Sequence, residues 1–332
     1  MAENKKEMIS PPSSKLHYIG QLRAVTLCTS VAHATFALDF GGILSSLRIK
    51  KKKNGRWVEI IDAPKSSSAI VANKWFSSAK LIPFPNRVKD GMYTVGKSRF
   101  FLKQNFPSQQ HAIHGLVYNK KWNVRKIIAE KEHITLIIGL ILEPEQSYPH
   151  KLDVSCKYIL SGRKLTCTTT IVNIGKRKQK APIGDGWHPY FAAKGSFAKV
   201  SFDPRAIIDV DERMIPTRKA LEFQTEPFHS FLLKYKQKNG FLLQKNVAHA
   251  MRTLDTCFVL KKRCTVLQTR DFTLTLKQDH NYPFLQIFTP PNKHSIAIEP
   301  MSCWPDAFNN KKGLRMLASG EKWSGTYDIS ID

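Results

Sequence analysis

The chain is short of acidic residues, paired cysteines, long apolar runs and segments with a helical period. Its 332 residues contain 26 Asp and Glu against 52 Lys and Arg, a formal charge of +26. Such a charge makes anionic partners worth weighing, because net charge governs encounter and solubility rather than fold. The densest runs are Lys50 to Lys53, Lys176 to Lys180 and Lys261 to Arg263. They are dispersed beside strand-like segments, where hairpin turns would leave them in water. No zinc-finger spacing or aromatic RNA-binding signature accompanies them, so no dedicated nucleic-acid site is expected.

The six cysteines, at positions 28, 156, 167, 257, 264 and 303, include no Cys-x-x-Cys pair and are too sparse for a disulfide framework. Most lie in apolar runs, as small buried thiols do, and a reducing compartment is the simpler expectation. Met1 to Ser14 is polar and lacks the apolar stretch of ~7–15 residues that a signal peptide needs. The longest apolar run, Ile134 to Leu142, is broken by Thr135 and Gly139 and falls short of the ~20 residues that span a bilayer. These features predict a cytoplasmic protein with no membrane segment. With 17 Gly, 18 Pro and 42% hydrophobic residues, the composition is that of an ordinary globular chain rather than a collagen-like or disordered one.

What the sequence has in quantity is alternation. In Leu152 to Tyr158 apolar and polar side chains fall on opposite faces, as a half-buried strand requires. Ser161-Gly162-Arg163 supplies a turn, and Lys164 to Val172 is rich in Thr, Ile and Val, which favour a pleated surface. Together they predict a hairpin. Similar segments occur at 34–40, 43–49, 57–61, 134–142, 199–202, 272–276, 284–288 and 295–298. Only short stretches such as Asn73 to Ala79 offer a helical turn or two. The pattern predicts a mainly antiparallel β protein with few short helices, a flexible tail over residues 1–15, and a single large β-sandwich domain over residues 16–332.

Four clusters combine polar groups with turn-forming or aromatic residues. They are Asn86-Arg87 with Gly91, His111 to Gly115 with Trp122 beyond, Gly184 to Phe191 around His188, and Ile296 to Pro300 followed by Trp304 to Asn309. Adding Leu254 to Phe258 and Leu285-Gln286, the order and spacing of these motifs resemble the aldose 1-epimerase, or mutarotase, family from about Phe40 to the C-terminus. The resemblance implies a galactose mutarotase-like sandwich that interconverts the α and β anomers of a free hexose, without metal or organic cofactor, as a monomer or homodimer. It implies Glu299 as base at the C1 hydroxyl, His188 as acid at the ring oxygen, and His114 as a donor nearby. Arg87 and Asp255 would hold sugar hydroxyls, with Asn86 and Gln286 as further candidates.

Residue types suit those roles. Glu299 ends an apolar run before Pro300, so burial would raise its pKa from ~4.3 toward neutrality. A histidine, starting near ~6.5, holds or releases a proton with little tuning. Taken singly, each residue has a plainer reading: His188 as a structural histidine, Glu299 as a strand-end carboxylate, Asp255 as a cap, Arg87 as an exposed cation, His114 as a loop residue, and the tryptophans as core. Their ordered combination favours the chemical reading. Leu116 stands where many family members carry a second glycine, and His111 where they carry asparagine, which makes His111 a further candidate for a sugar hydroxyl. Alternative readings are a hexose-6-phosphate 1-epimerase, a glycosidase using Asp255 and Glu299, a metal site on the histidines and Glu299, and a carbohydrate-binding protein without catalysis.

Overall fold

The computed structural model describes residues 11–176, 180–193, 197–222, 231–236, 240–244, 254–291 and 294–332. The first strand, Ser13–Ile19, begins inside the stretch expected as a tail, and residues 1–10 of that tail lie outside the described residues. Ser13–Ile19, Leu22–Cys28, Ala32–Ala37, Ile43–Lys50 and Trp57–Glu59 form a five-stranded antiparallel meander. A second sheet of 14 strands carries most of the remaining chain. The C-terminal strand Lys322–Ile331 lies between Lys164–Asn173 and Thr273–Gln278, so the end of the chain is locked into the middle of that sheet.

The expected hairpin is present. Leu152–Ser161 pairs with Lys164–Asn173 from Leu152 opposite Asn173 to Ser161 opposite Lys164, and both strands alternate buried and accessible residues. Gly162, at φ 54°, takes the left-handed conformation at which the two-residue turn begins. Apolar faces of the two sheets meet in one continuous core that includes Val25, Leu27 and Phe36 from the meander and Ile134, Leu136 and Tyr158 from the large sheet. Phe36 and Tyr158 pack across the interface with ring centroids 4.4 Å apart. This is a mainly antiparallel β-sandwich, as the alternation predicts.

Two local expectations change. The helix lies at Ser67–Ala72 rather than within 73–79; the Ser66 side chain caps it by accepting from the Ala69 amide, and Asn73 closes it. Phe76 and Ser78 have φ values of 53° and 58°, which a right-handed helix excludes. The run Lys261 to Arg263 sits inside the strand Asp255–Thr269 rather than at a turn, with all three residues exposed where the pairing with Phe197–Val210 shifts register. Of the run Lys176 to Lys180, residues 177–179 lie outside the described residues. Among the described residues no helix is long and apolar enough to cross a membrane, and all six cysteines are free thiols.

Because the Phe36 ring is fully buried at the junction of the two sheets, Phe36→Ala is expected to cost ~3–5 kcal/mol of unfolding free energy, measured by urea denaturation against the parent chain.

Candidate active site

One long strand brings the site together. Asp255–Thr269 uses residues 264–268 to pair with Thr273–Gln278 and residues 255–259 to pair with Phe284–Phe288. Phe284–Phe288 then pairs with Ser295–Met301, which pairs with Tyr190–Ala192. Register does the rest. Asp255 is opposite Phe288, Phe288 opposite Ala297 and Ala297 opposite Tyr190, forming one row across four strands. Gln286 faces Glu299 in the next row, and His188 precedes Tyr190 by two residues, so all these side chains share one face of the sheet. The flanking Trp187 and Phe191 enter the core.

A second layer supplies the facing wall. Arg87–Val88 pairs with Ala112–Ile113, which places Arg87 opposite Ile113 and next to His114. Asn86 and His114 have φ values of 58° and 64°, and the Asn86 carbonyl accepts the His114 amide at 2.9 Å. Gly115 follows at φ 76°, where a β-carbon would overlap the carbonyl of Ile82, so the glycine of the His-Gly pair is sterically required. Leu116 needs no such freedom; its amide donates to the Ile82 carbonyl at 2.7 Å, and its side chain packs against the core.

Between these walls lies a cleft of about 160 Å³ whose lining includes Asn86, Arg87, His114, His188, Asp255, Gln286 and Glu299. His188 Nε2 and Glu299 Oε1 are 3.4 Å apart, with both side chains almost wholly withdrawn from water. The rings of His114 and His188 meet edge to face at 5.0 Å, and Tyr190 stacks on His188 at 5.0 Å. Arg87 is committed to fixed partners: Nε donates to Gln109 Oε1 at 2.7 Å, one terminal nitrogen to Asn86 Oδ1 at 3.0 Å, and the other to Asp255 Oδ2 at 3.4 Å. Gln286 Nε2 donates to Asp255 Oδ1 at 2.6 Å, so both oxygens of Asp255 are held. Seven of the eight predicted site residues therefore converge.

His111 is the exception. It is buried but does not line the cleft. Its Nδ1 accepts the Asp90 amide at 3.0 Å, and its Nε2 donates to the Arg213 carbonyl at 3.2 Å. Arg213 in turn donates to Asp90 Oδ1 at 2.6 Å and to the Gln109 carbonyl at 3.0 Å. His111 thus ties the turn around Arg213 to the segment carrying Gln109, a support of Arg87 instead of a hydroxyl partner. Lys74, Trp75, Phe76, Phe106, Gln109 and Phe288 also line the cleft without having been anticipated. The tandem aromatics at 75 and 76 in a polar stretch were the available signal, obscured by reading that stretch as a helical turn. Trp122, Trp187 and Trp304 are buried and outside the cleft.

Burial sets the protonation states. It pushes the Glu299 carboxyl well above its ordinary range, with Asp255 adding to the shift and Arg87 opposing it. It also draws His188 down to about 3. His114 is likewise held well below its ordinary value by burial, then by His188 and Arg87. Burial thus favours the uncharged form of all three groups. Among the described residues no group of three or more His, Cys, Asp and Glu side chains could hold a metal ion.

The His188 segment is held by backbone hydrogen bonds to residues 78–81. The Ser78 amide donates to the His188 carbonyl at 2.8 Å, the His188 amide to the Ala79 carbonyl at 3.1 Å, and the Leu81 amide to the Gly186 carbonyl at 2.9 Å. Behind it Lys80 Nζ donates to Asp185 Oδ2 at 2.8 Å, both side chains buried, and the Tyr282 hydroxyl donates to the same oxygen at 2.5 Å.

The structure is thus a mainly antiparallel β-sandwich with a desolvated imidazole–carboxyl pair lining a small cleft. The chain belongs to the aldose 1-epimerase family, whose model matches residues 23–330. It is 28% identical to the uncharacterized protein YihR of Escherichia coli K12 over 247 residues, covering 73% of this chain and 74% of that protein. A galactose mutarotase-like protein from Clostridium acetobutylicum superposes with a TM-score of 0.81 at 20% identity, over 97% of this chain and 99% of the other. Galactose 1-epimerase from Lactobacillus acidophilus superposes with a TM-score of 0.76 at 16% identity, over 97% and 99%. At these identities the solved structures establish the shared fold.

Two outcomes follow from the buried charges. Lys80→Met strands the Asp185 carboxylate and is expected to cost ~3–5 kcal/mol, whereas Lys80→Met combined with Asp185→Leu should lose less than the two single changes added together, by denaturant titration. Glu299 binds its proton to a higher pH when folded than its ordinary 4.5, so the folded state carries the extra proton between those limits and stability falls as pH rises through them. Glu299→Gln should therefore unfold later than the parent at mildly alkaline pH, with the advantage vanishing as pH falls below 4.5; an unchanged difference across that range contradicts the assignment.

Proposed function

We propose that the chain exchanges the α and β anomers of a free, uncharged aldose such as glucose or galactose, with Glu299 and His188 as the proton-transfer pair. The observation that carries this reading is the 3.4 Å approach of two desolvated groups whose pKa values burial displaces in opposite directions. Ring opening needs a base at the C1 hydroxyl and an acid at the ring oxygen acting together. The pair holds one transferable proton. Burial favours its place on Glu299, and sugar hydroxyls entering as hydrogen-bond donors favour its transfer to His188, because they stabilise the carboxylate.

Glu299 then takes the proton from the C1 hydroxyl while His188 gives its own to the ring oxygen. The C1–O5 bond breaks and the C1–O1 bond becomes a carbonyl. Rotation about C1–C2 presents the other face of the aldehyde, and O5 attacks it as His188 takes the O5 proton and Glu299 returns a proton to O1. Each half reverses the other, so protons balance without a further reactant. His114, uncharged, donates to the ring oxygen or a neighbouring hydroxyl and adds no charge beside the imidazolium that forms on His188. Asp255 accepts from sugar hydroxyls while Arg87 and Gln286 hold it in place. The Arg87 guanidinium donates to Gln109, Asn86 and Asp255 and is poorly placed to receive a phosphate, which favours the unphosphorylated sugar.

Fresh α-glucose or α-galactose should equilibrate faster with the protein, followed by polarimetry. Positioned acid–base groups contribute ~10²–10⁴-fold, and Glu299→Gln and His188→Asn should each remove an acceleration of that order while circular dichroism remains that of the parent. Full activity in either variant refutes the mechanism.

A further inference from the structure

The cleft has a neighbour. A hollow of about 290 Å³ lies against it and shares two of its walls, Trp75 and Tyr190; the rest of its lining includes Asp62, Ser77, Pro290 and Pro291. It is larger than the cleft assigned to the reacting sugar. Its frame is fixed: the Asp62 amide donates to the Tyr190 carbonyl at 2.8 Å, the Ser77 hydroxyl to the Asp62 carbonyl at 3.0 Å, and the Tyr190 hydroxyl to the Trp75 carbonyl at 3.1 Å. The Asn73 side chain clasps Ser77 by accepting its amide at 2.8 Å and donating to its carbonyl at 3.1 Å, which pins the segment bearing Trp75 at both ends.

The surfaces of this hollow are those that bind a pyranose. Trp75 is 52% exposed although its ring stacks on Phe288 at 6.2 Å, so a broad aromatic face is held open at the lip. Three prolines, Pro64, Pro290 and Pro291, supply apolar surface, and the half-buried Asp62 supplies a carboxylate that accepts from hydroxyls and repels anionic substituents. Position matters too. Tyr190 stacks on His188, the group assigned to the ring oxygen, and also lines the hollow. Beyond the ring oxygen of an aldose come C5 and its exocyclic carbon, and the proposed chemistry uses neither.

We propose that this hollow is a subsite for a second, uncharged sugar ring carried on the exocyclic oxygen of the reacting aldose, so that the chain accepts reducing disaccharides of the 1→6-linked type. The proposal rests on the anomer-exchange reading above and extends it to a substrate class. The non-reducing ring lies along the indole of Trp75, with its hydroxyls donating to Asp62, while the reducing ring occupies the cleft of Glu299 and His188.

The test compares glucose with glucosyl-α-1,6-glucose, each freshly dissolved as one anomer and followed by polarimetry, in the parent chain, Asp62→Ala and Pro291→Trp. The first variant removes the acceptor and the second fills the hollow; neither residue belongs to the cleft. The parent is expected to accelerate both sugars. Each variant should lower kcat/KM for the disaccharide by about tenfold, the scale of one hydrogen bond to a charged group, and leave glucose unchanged. A disaccharide that is not accelerated, or variants that affect both sugars equally or neither, overturn the subsite while leaving the anomer-exchange reading intact. Failure to accelerate glucose itself overturns both.

Discussion

A carboxyl group and an imidazole withdrawn from water and held 3.4 Å apart are costly to bury, and much of the surrounding structure is arranged around that cost. Each would be better solvated at the surface, and each responds to burial by shedding its charge. Neither is relieved locally: Glu299 Oε2 and His188 Nδ1 have no hydrogen-bond partner among the described residues. A well-packed sandwich can carry such groups because its core supplies stability elsewhere, and function is the usual reason for them to remain. The second buried charge system, Lys80 with Asp185 and Tyr282, has the opposite character. Its charges face each other at hydrogen-bond distance, so it fixes the backbone behind His188 without taking part in the proposed proton exchange.

The sheet organisation was legible because alternation is a local property. Leu152 to Asn173 carries its own face pattern, and Gly162 marks the turn between its strands. The convergence of Asp255, Gln286, Glu299 and His188 is not local. It depends on pairing register across four strands, and a slip of one residue would turn Glu299 away from Gln286 and the cleft. Spacing along the chain contains no such information, and these residues were found through motif resemblance. His111 shows the limit of that route, since standing where family members carry asparagine made it a candidate for a sugar hydroxyl, and it does not line the cleft. The Arg213 and Asp90 groups that claim it are distant or unremarkable in the sequence. The wall formed by Lys74 to Phe76 was hidden because left-handed backbone at Phe76 and Ser78 leaves no compositional mark of its own.

Several of the described basic residues pair with carboxylates at the surface away from the cleft. Lys51 and Arg56 share Asp271, and Lys52 lies 3.9 Å from Asp332 at the chain end. Exposed pairs of this kind contribute little to stability and are weakened by salt. Of the basic residues bordering the cleft, Arg87 is held by neutral and acidic neighbours, and Lys74 sits on its exposed rim.

The strip from Gly186 to His188 is stitched to residues 78–81 on one side and, through the Trp187 amide, to Pro300 on the other. An imidazole mounted on so many cross-links has little room to swing, and the carboxyl opposite it stands on a fully buried strand. In the proposed cycle the moving part is accordingly the ligand. There the open-chain aldehyde would pivot inside a stationary mould, and the protein would return to its starting shape with nothing to reset.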